Sequence, residues 1–492
     1  MINRRNILKI KYLSKEDKQT LKALKQTENI EEIACILETF LSNQPTLHTM
    51  WEYRKWLGML TEEQFRNRPI LVCGVIQIDI LGGRLKEAKQ LAEKFLGDDV
   101  YGRMSMLILP NIDDAEREAA LLKLSQSKNF AGKNMFLTAS RPSILNGLWD
   151  LTPNASSLHE EKEKVMYQLE QVFGELAPYI FQIACAESLY YQDKCYEALV
   201  MIVGLMPFLR ERHDMQFLFV ALTLEVFIMV QNGQTPSTVP MMENLRKQIK
   251  EKGMEEYLPN IDALDAWAAM YDGDYVRMTK WMREGAPDEY AKFCMLDLFR
   301  YMIKMRGYII QGKYLAVTNL ATKLLPILKE GKRYMDMCEL HMLWAMSDYA
   351  AGRSKEAFIH LEEAIKLSEK YHYDRLIADE GRRMLELLKA YRTEKTKSQY
   401  LSWLTELTEK SASLFPRYLK GQLPEMPALT EAEMRILRLL QENYTNAEIG
   451  EAAGIAVETV KKHCKHIIAK LEVKNRHQAV QRAVEYGILE PI

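Results

Sequence analysis

The sequence predicts an all-α protein: an α-solenoid of helix pairs repeating about every forty residues, followed by a compact four-helix unit at the C-terminus. Three observations predict it. Glycine and proline are sparse, 23 and 16 in 492 residues, while 48% of residues are hydrophobic and 27% charged. That is the composition of a folded, helix-rich chain rather than a disordered one. A helix–turn–helix pattern recurs at fixed spacing through the middle of the chain. Three helix-start signals then follow one another near the C-terminus.

The repeat reads as an apolar helix, a small turn, and a second helix with a small or apolar residue five positions on. It occurs as DKCYEA from Asp193, NGQTPST with Gly233, DGDYVRM with Gly273, QGKYLAV with Gly312 and AGRSKEA with Gly352. Turn positions 193, 233, 273, 312 and 352 are spaced 40, 40, 39 and 40. An earlier copy, GGRLKEA with Gly83 and Ala88, stands off this register. Glycine at such a turn supplies a left-handed helix cap at no steric cost, and a small residue beyond it lets the second helix pack closely on the first. In the last copy Leu340, Leu343, Trp344, Ser347 and Ala350 keep 3–4 spacing, and Ala357, Leu361 and Ala364 continue it on the partner helix. Each pair must bury its stripe against a neighbour, which predicts a TPR-like solenoid with helices longer than those of a 34-residue repeat. The apolar stretch Met215–Val230 has 16 residues and includes Glu225. A membrane span needs about 20, so a buried helix is expected there.

The global numbers exclude little. Sixty-six Lys+Arg against 67 Asp+Glu give a net charge of −1, so any affinity for nucleic acid must be local, and no membrane partner is expected. Seven scattered cysteines without CxxC spacing fit a reducing compartment without a disulfide framework or zinc ribbon. The N-terminal residues lack the apolar segment of a signal peptide, and a cytoplasmic location is expected. Gly307–Tyr314, GYIIQGKY, formally begins a phosphate-binding loop. Such a loop needs a preceding strand and a final Ser or Thr, whereas here one glycine falls inside a helix and the other is the repeat turn. No HExxH motif occurs either, and no catalytic constellation or cofactor is expected.

Past the repeats, Pro416, Gly421, Pro424 and Pro427 mark an inter-domain linker. The expected organisation is an N-terminal helical segment at 1–48, a repeat domain at 49–412, a linker at 413–428 and a terminal domain at 429–492. Thr430-x-x-Glu433, Thr445-x-x-Glu448 and Asn475-x-x-Gln478 read as capping-box starts. They predict helices over about 430–442, 445–453, 457–471 and 476–487. The second and third are joined at Ala453-Gly454-Ile455-Ala456, the pattern of a helix-turn-helix whose second member enters the DNA major groove. Residues 429–456 hold two basic and five acidic residues, whereas 457–476 hold six basic and two acidic. Val460, Cys464, Ile467 and Leu471 form the expected core stripe, leaving Lys461, Lys462 and Lys465 on the other side for base edges or phosphates. A lysine cluster alone would read as a solvated face; inside a capped four-helix unit it reads as an interface. His463 and His466 are expected to be structural rather than metal ligands, since no further ligands lie nearby.

The segment LTEAEMRILRLLQENYTNAEIGEAAGIAVETVKKHCKHIIAKLEVKNRHQAVQRAVEYGIL resembles the LuxR-type helix-turn-helix of bacterial transcription regulators. The resemblance runs through Thr430, Glu433, Leu437, Glu448-Ile449, Thr459-Val460-Lys461, His463, Ile467, Lys470-Leu471, Val473 and Arg476. It implies base-reading positions at Lys461, Lys462 and Lys465. Backbone contacts are implied at Thr459, Lys470 and Arg476, and His463 and Lys474 are further candidates for them. Departures stand at Ala432, Gly450, Ala453, Ala456 and Glu472; Ala456 replaces a capping serine, a loss of about 0.5–2 kcal/mol. The repeat region, at 52–95 and 292–388, is similar to the helical arm of the MalT-like, large ATP-binding members of that class. Those members begin with a nucleotide-binding module, and this chain starts about where that module would have ended, so an ATP switch is not implied.

Taken together, a cytoplasmic, non-enzymatic transcription regulator is expected. The arm would sense a small-molecule or protein effector, and the terminal domain would bind double-stranded promoter DNA as a homodimer and work with RNA polymerase. Helix 476–487, with Ala479, Val480, Ala483 and Val484, either makes the dimer contact or packs into its own domain. The alternative is a helical-repeat scaffold or anti-regulator with a degenerate helix-turn-helix. Ala456, Glu472 and the balance of nine basic and nine acidic residues in 429–492 favour it.

Overall fold

The computed structural model describes residues 15–43, 45–97, 141–212, 215–394, 398–415, 429–471 and 473–485, with single positions at 102, 105, 109, 115, 119, 120 and 489. Among them every regular element is a helix, and the paired backbone outside helices is one isolated bridge, Asn146–Asp150. The protein is all-α. None of the described helices is long and apolar enough to cross a membrane.

The N-terminal part holds α1 (Lys15–Gln26), α2 (Ile30–Ser42), α3 (Leu47–Leu57), α4 (Glu62–Phe65), α5 (Pro69–Leu81) and α6 (Leu85–Phe95). Tyr53 of α3 donates to the Asp17 carbonyl and Trp56 to that of Leu24 at 3.1 Å. Leu24, Leu37 and Leu57 belong to the same apolar core as the repeats that follow. After α7 (Lys162–Phe173) come five helix pairs. They are α8 (Ala177–Tyr191) with α9 (Cys195–Arg212), α10 (Met215–Gln231) with α11 (Thr235–Glu251), α12 (Leu258–Asp272) with α13 (Tyr275–Glu284), α14 (Leu298–Ile310) with α15 (Tyr314–Glu330), and α16 (Tyr334–Ala350) with α17 (Ser354–Tyr371). Within each pair the two helices touch, and α8, α10, α12, α14 and α16 also touch one another in succession. The first members in the middle of the series, α10, α12 and α14, are therefore each enclosed by three neighbours. This explains the apolar run at Met215–Val230: α10 is buried almost all round, with Glu225 half-buried and its carboxyl raised by that burial.

The turns sit where the spacing predicts. Gly83, Asp193, Gly233, Gly273, Gly312 and Gly352 all have positive φ, between 62° and 77°, the left-handed conformation that ends one helix and aims the chain back. Five positions on, Ala88, Ala198, Thr238, Met278, Val317 and Ala357 are each 0% exposed. At Asp79–Arg84 and Asp348–Arg353 the same ion pair closes the turn, from the last turn of one helix to the residue before the next. The GYIIQGKY segment runs from inside α14 through this turn into α15. A Cβ at Gly307 would lie 2.5 Å from Met282 Sδ. That glycine thus serves helix packing.

The array then closes on itself. The short α18 (Asp374–Ala378) contacts α8, and α19 (Gly381–Glu394) with α20 (Gln399–Leu414) completes the described helical region. Tyr190 of α8 donates to Asp379 Oδ2 at 2.6 Å and Arg375 pairs with Asp193 at 3.2 Å. The space between first and last pairs is filled by segment 141–157, which ends in a short 3₁₀ helix (Thr152–Ser157). Its Ile144 amide donates to Glu187 at 2.7 Å, and its Ser143 hydroxyl to the same carboxylate. Arg333, 1% exposed, donates to the carbonyls of Leu148 and Gly147 and to the Asn146 side chain. Burial pushes the Glu187 carboxyl up to about 7.

Beyond residue 428 a second, separate core forms from α21 (Glu431–Gln441), α22 (Asn446–Ala453), α23 (Val457–Lys470) and α24 (Arg476–Glu485). The linker prolines lie outside the described residues.

Candidate nucleic-acid interface

Three of these four helices start from a side-chain cap; α23, which follows Ala456, has none. Thr430 and Thr445 accept from the amides of Glu433 and Glu448, and those glutamates accept in return from the threonine amides at 2.8 and 2.7 Å. The third start is a variant: Asn475 accepts from the Gln478 amide at 2.9 Å, while the Gln478 side chain accepts from Lys474 rather than Asn475. Gly454, at φ 69°, ends α22 in the left-handed region. Ile455 donates back to the Gly450 carbonyl at 2.9 Å, which sets the tight turn into α23. A Cβ at Gly450 would approach the Ile455 carbonyl to 2.9 Å, so this departure from the family pattern fits the closeness of the turn.

Helix α23 is two-faced. Val460 and Ile467 are fully buried and Leu471 nearly so, joining Ile436, Leu437, Leu440 and Ile449 in the core. Cys464 is half-buried, at the margin of the stripe, and burial raises its thiol. Lys461, Lys462 and Lys465 are exposed on the far side, as side chains at 3–4 spacing away from the core stripe must be. Thr459, Lys470, Lys474 and Arg476 are also exposed, and His463 is half-buried. Glu472 lies outside the described residues.

Two features were not read from the sequence. Lys470 Nζ is 2.7 Å from Glu433 Oε2, so this side chain braces the end of α23 to the start of α21. Lys461 Nζ is 2.7 Å from Glu458 Oε1 on the same exposed face. The second was findable, because residues three apart on a helix are neighbours; the first joins positions 37 apart and has no local signature. Burial pushes the Glu433 carboxyl up, but the Lys470 ammonium and the Thr430 amide and hydroxyl outweigh it, leaving the pKa below the ordinary value. In α24, Ala479 and Ala483 are fully buried in the domain's own core, with Val480 packed against it. That stripe is spent inside the domain. The Val484 side chain is outside the described residues. No cluster of three or more metal-ligating side chains occurs among the described residues.

Residues 427–483 match the family described as bacterial regulatory proteins, luxR family. This segment is a LuxR-family helix-turn-helix domain. Over 71 residues the chain is 44% identical to the response regulator protein VraR of Staphylococcus aureus strain Mu3, and equally to the proteins of that name from Staphylococcus saprophyticus and Staphylococcus epidermidis. The match covers 14% of this chain and 33% of each relative, so the chain spans about a third of the length of the curated relatives it matches. The likeness thus lies in the LuxR-type domain.

Proposed function

We propose that this chain is a DNA-binding transcription regulator. Its LuxR-type domain would read promoter DNA through Lys461, Lys462 and Lys465, while Thr459, His463, Lys474 and Arg476 contact the backbone. The observation that carries this is the placement of the three lysines on the exposed side of α23, opposite Val460, Ile467 and Leu471. Exposed cations on the second helix of such a motif suit major-groove acceptors. The domain organisation expected from the sequence, with a MalT-like, TPR-type arm at 49–412 as the sensor, belongs to the same proposal. So do a homodimer on paired half-sites, contact with RNA polymerase, a cytoplasmic location and the absence of catalysis. Since α24 spends Ala479 and Ala483 internally, its exposed side would have to make the dimer contact.

A second reading is favoured by a specific observation. Two of the candidate cations are already paired, Lys470 with Glu433 and Lys461 with Glu458, and Ala456 gives α23 no side-chain cap. A helical-repeat scaffold with a degenerate helix-turn-helix would look like this. Selection of bound sequences from a random DNA pool separates the two, using full-length protein and its Lys461→Ala/Lys462→Ala/Lys465→Ala variant. The regulator yields an enriched motif that the variant loses. An unenriched pool sinks the regulator reading. A uniform loss of affinity with a shallower salt dependence would assign the lysines to phosphates instead.

A further inference from the structure

The inner helices of the closed array converge on a cleft bounded also by residues 141–146 and by the corner between α18 and α19. Its enclosed part has a volume of about 70 Å³, room for several waters or one small flat group. One part of its lining is a run of aromatic rings in mutual contact. Phe227 meets Trp267 edge-on at 4.8 Å, Trp267 meets Tyr271 at 4.7 Å, and Tyr190 lies along Phe227 at 6.1 Å. The remainder is charged, and its carboxylates are engaged. Arg306 donates to both Glu339 and Glu380, at 2.7 and 2.8 Å. Asp379 accepts from Tyr190 through Oδ2, and its buried Oδ1 lies 2.7 Å from Arg375 as an ion pair without a well-formed hydrogen bond.

Arg141 is different. Its Nη2 lies 2.7 Å from Asp336 Oδ1, but that carboxylate is shared with Arg333 and with the Asn146 amide. Its Nη1 is buried and has no hydrogen-bond acceptor among the described residues. Glu339 Oε2 is 4.0 Å from Nη2. A guanidinium can only donate and stays charged, and a buried donor left without an acceptor is costly.

We propose that this cleft is a binding site for a small organic carboxylate with a flat, apolar body. The carboxylate accepts from Arg141 Nη1, and the body lies along the Phe227–Trp267–Tyr271 rings. Binding there draws together α10, α12 and the 141–146 segment, which come from distant parts of the chain. The consequence for DNA rests on the sensor reading of the arm given above; the binding itself does not.

The test uses full-length protein and three probes sharing one body: 1-naphthylacetate, 1-naphthylmethanol and 1-naphthylmethylamine. Calorimetry gives affinities, and saturation transfer to the naphthyl protons gives contact. The acetate is expected to bind about tenfold or more tighter than the alcohol and the amine, the worth of one charge-assisted hydrogen bond. Arg141→Met removes that margin, and Arg141→Lys, which keeps the charge, retains part of it. Leu376→Trp narrows the cleft without touching Arg141 and weakens all three probes. An amine that binds as well as the acetate, an Arg141→Lys variant that binds like the parent, or no binding at millimolar probe overturns the proposal. An acetate that binds but leaves DNA affinity and oligomeric state unchanged overturns the sensor reading and leaves the site standing.

Discussion

Lys470 at the end of α23 and Glu433 at the start of α21 form an ion pair at 2.7 Å, and Glu433 is 4% exposed on its side chain. The same carboxylate closes the capping box of α21 by accepting from the Thr430 amide at 2.8 Å. One side chain therefore fixes a helix start and ties it to the end of the DNA-facing helix. Resemblance gave Lys470 a role on the DNA backbone, yet its ammonium is engaged inside the domain.

Replacing Lys470 with alanine would leave the buried Glu433 carboxylate with only Thr430 as its partner among the contacts described above. A loss of about 1–3 kcal/mol is expected for removing a charged partner at such a site. Hydrogen exchange of the α21 and α23 amides in the full-length protein would register it as lost protection. Sequence preference on DNA should persist in the variant. Unchanged protection with weakened DNA binding would return Lys470 to the interface.

The pH dependence of this region follows from the sign of the shift. The Glu433 pKa is lowered on folding from its ordinary 4.5, so its ionised form is stabilised by the fold. That stabilisation is fully present above the unfolded value and is lost as pH falls through the lower folded value. Protection of α21 should therefore weaken on acidification below about pH 4.5, and less steeply in Glu433→Gln, which no longer titrates. A pH response equal in both proteins would contradict the assignment.

How much was legible in the sequence depended on whether the cause was local. Turn glycines, the capping threonines of α21 and α22, and the apolar stripe of Val460, Ile467 and Leu471 act within a few residues of themselves, and all were readable. The Gln478 cap shifted by one residue, because its side chain reached Lys474 instead of Asn475. The closure of α8 on α18, the filling of the centre by residues 141–157, and the Lys470 brace depend on residues 37 to more than 180 apart. Those partnerships are decided by how the helix pairs stack, which no local pattern encodes. For the same reason Arg141 and its aromatic neighbours were invisible as a group: Arg141 comes from the 141–157 segment, Phe227 and Trp267 come from different helix pairs, and they share no motif.

Ala456 occupies the cap position of α23 with φ −64° and ψ 144°, and makes no side-chain cap bond. The backbone already has the extended geometry that a capping serine uses, so Ala456→Ser should add a bond to the exposed amides of the first turn. The expected gain is about 0.5–2 kcal/mol, seen as slower hydrogen exchange confined to the N-terminal turn of α23. If that turn were held in register by DNA, the variant would also bind more tightly. No change in exchange would mean that the turn around Gly454 does not present the hydroxyl to those amides.

Arg333 offers the sharpest test of the arm. It is 1% exposed, pairs with Asp336 at 2.6 Å, and donates to the Leu148 and Gly147 carbonyls at 2.9 and 3.1 Å. Arg333→Met keeps the volume but strips Asp336 of one of its two arginines and leaves the carbonyls of Gly147 and Leu148 without this donor. Breaking a buried pair from one side costs about 3–5 kcal/mol. Arg333→Lys, which keeps the charge but cannot fork to several acceptors, should fall between parent and methionine variant. Limited proteolysis would report the difference as early cleavage within 141–157, since that segment loses its main side-chain anchor on α16 while the helix pairs keep theirs. Cleavage first in the outer helices would show instead that Arg333 supports the array as a whole and that the segment is held by Glu187.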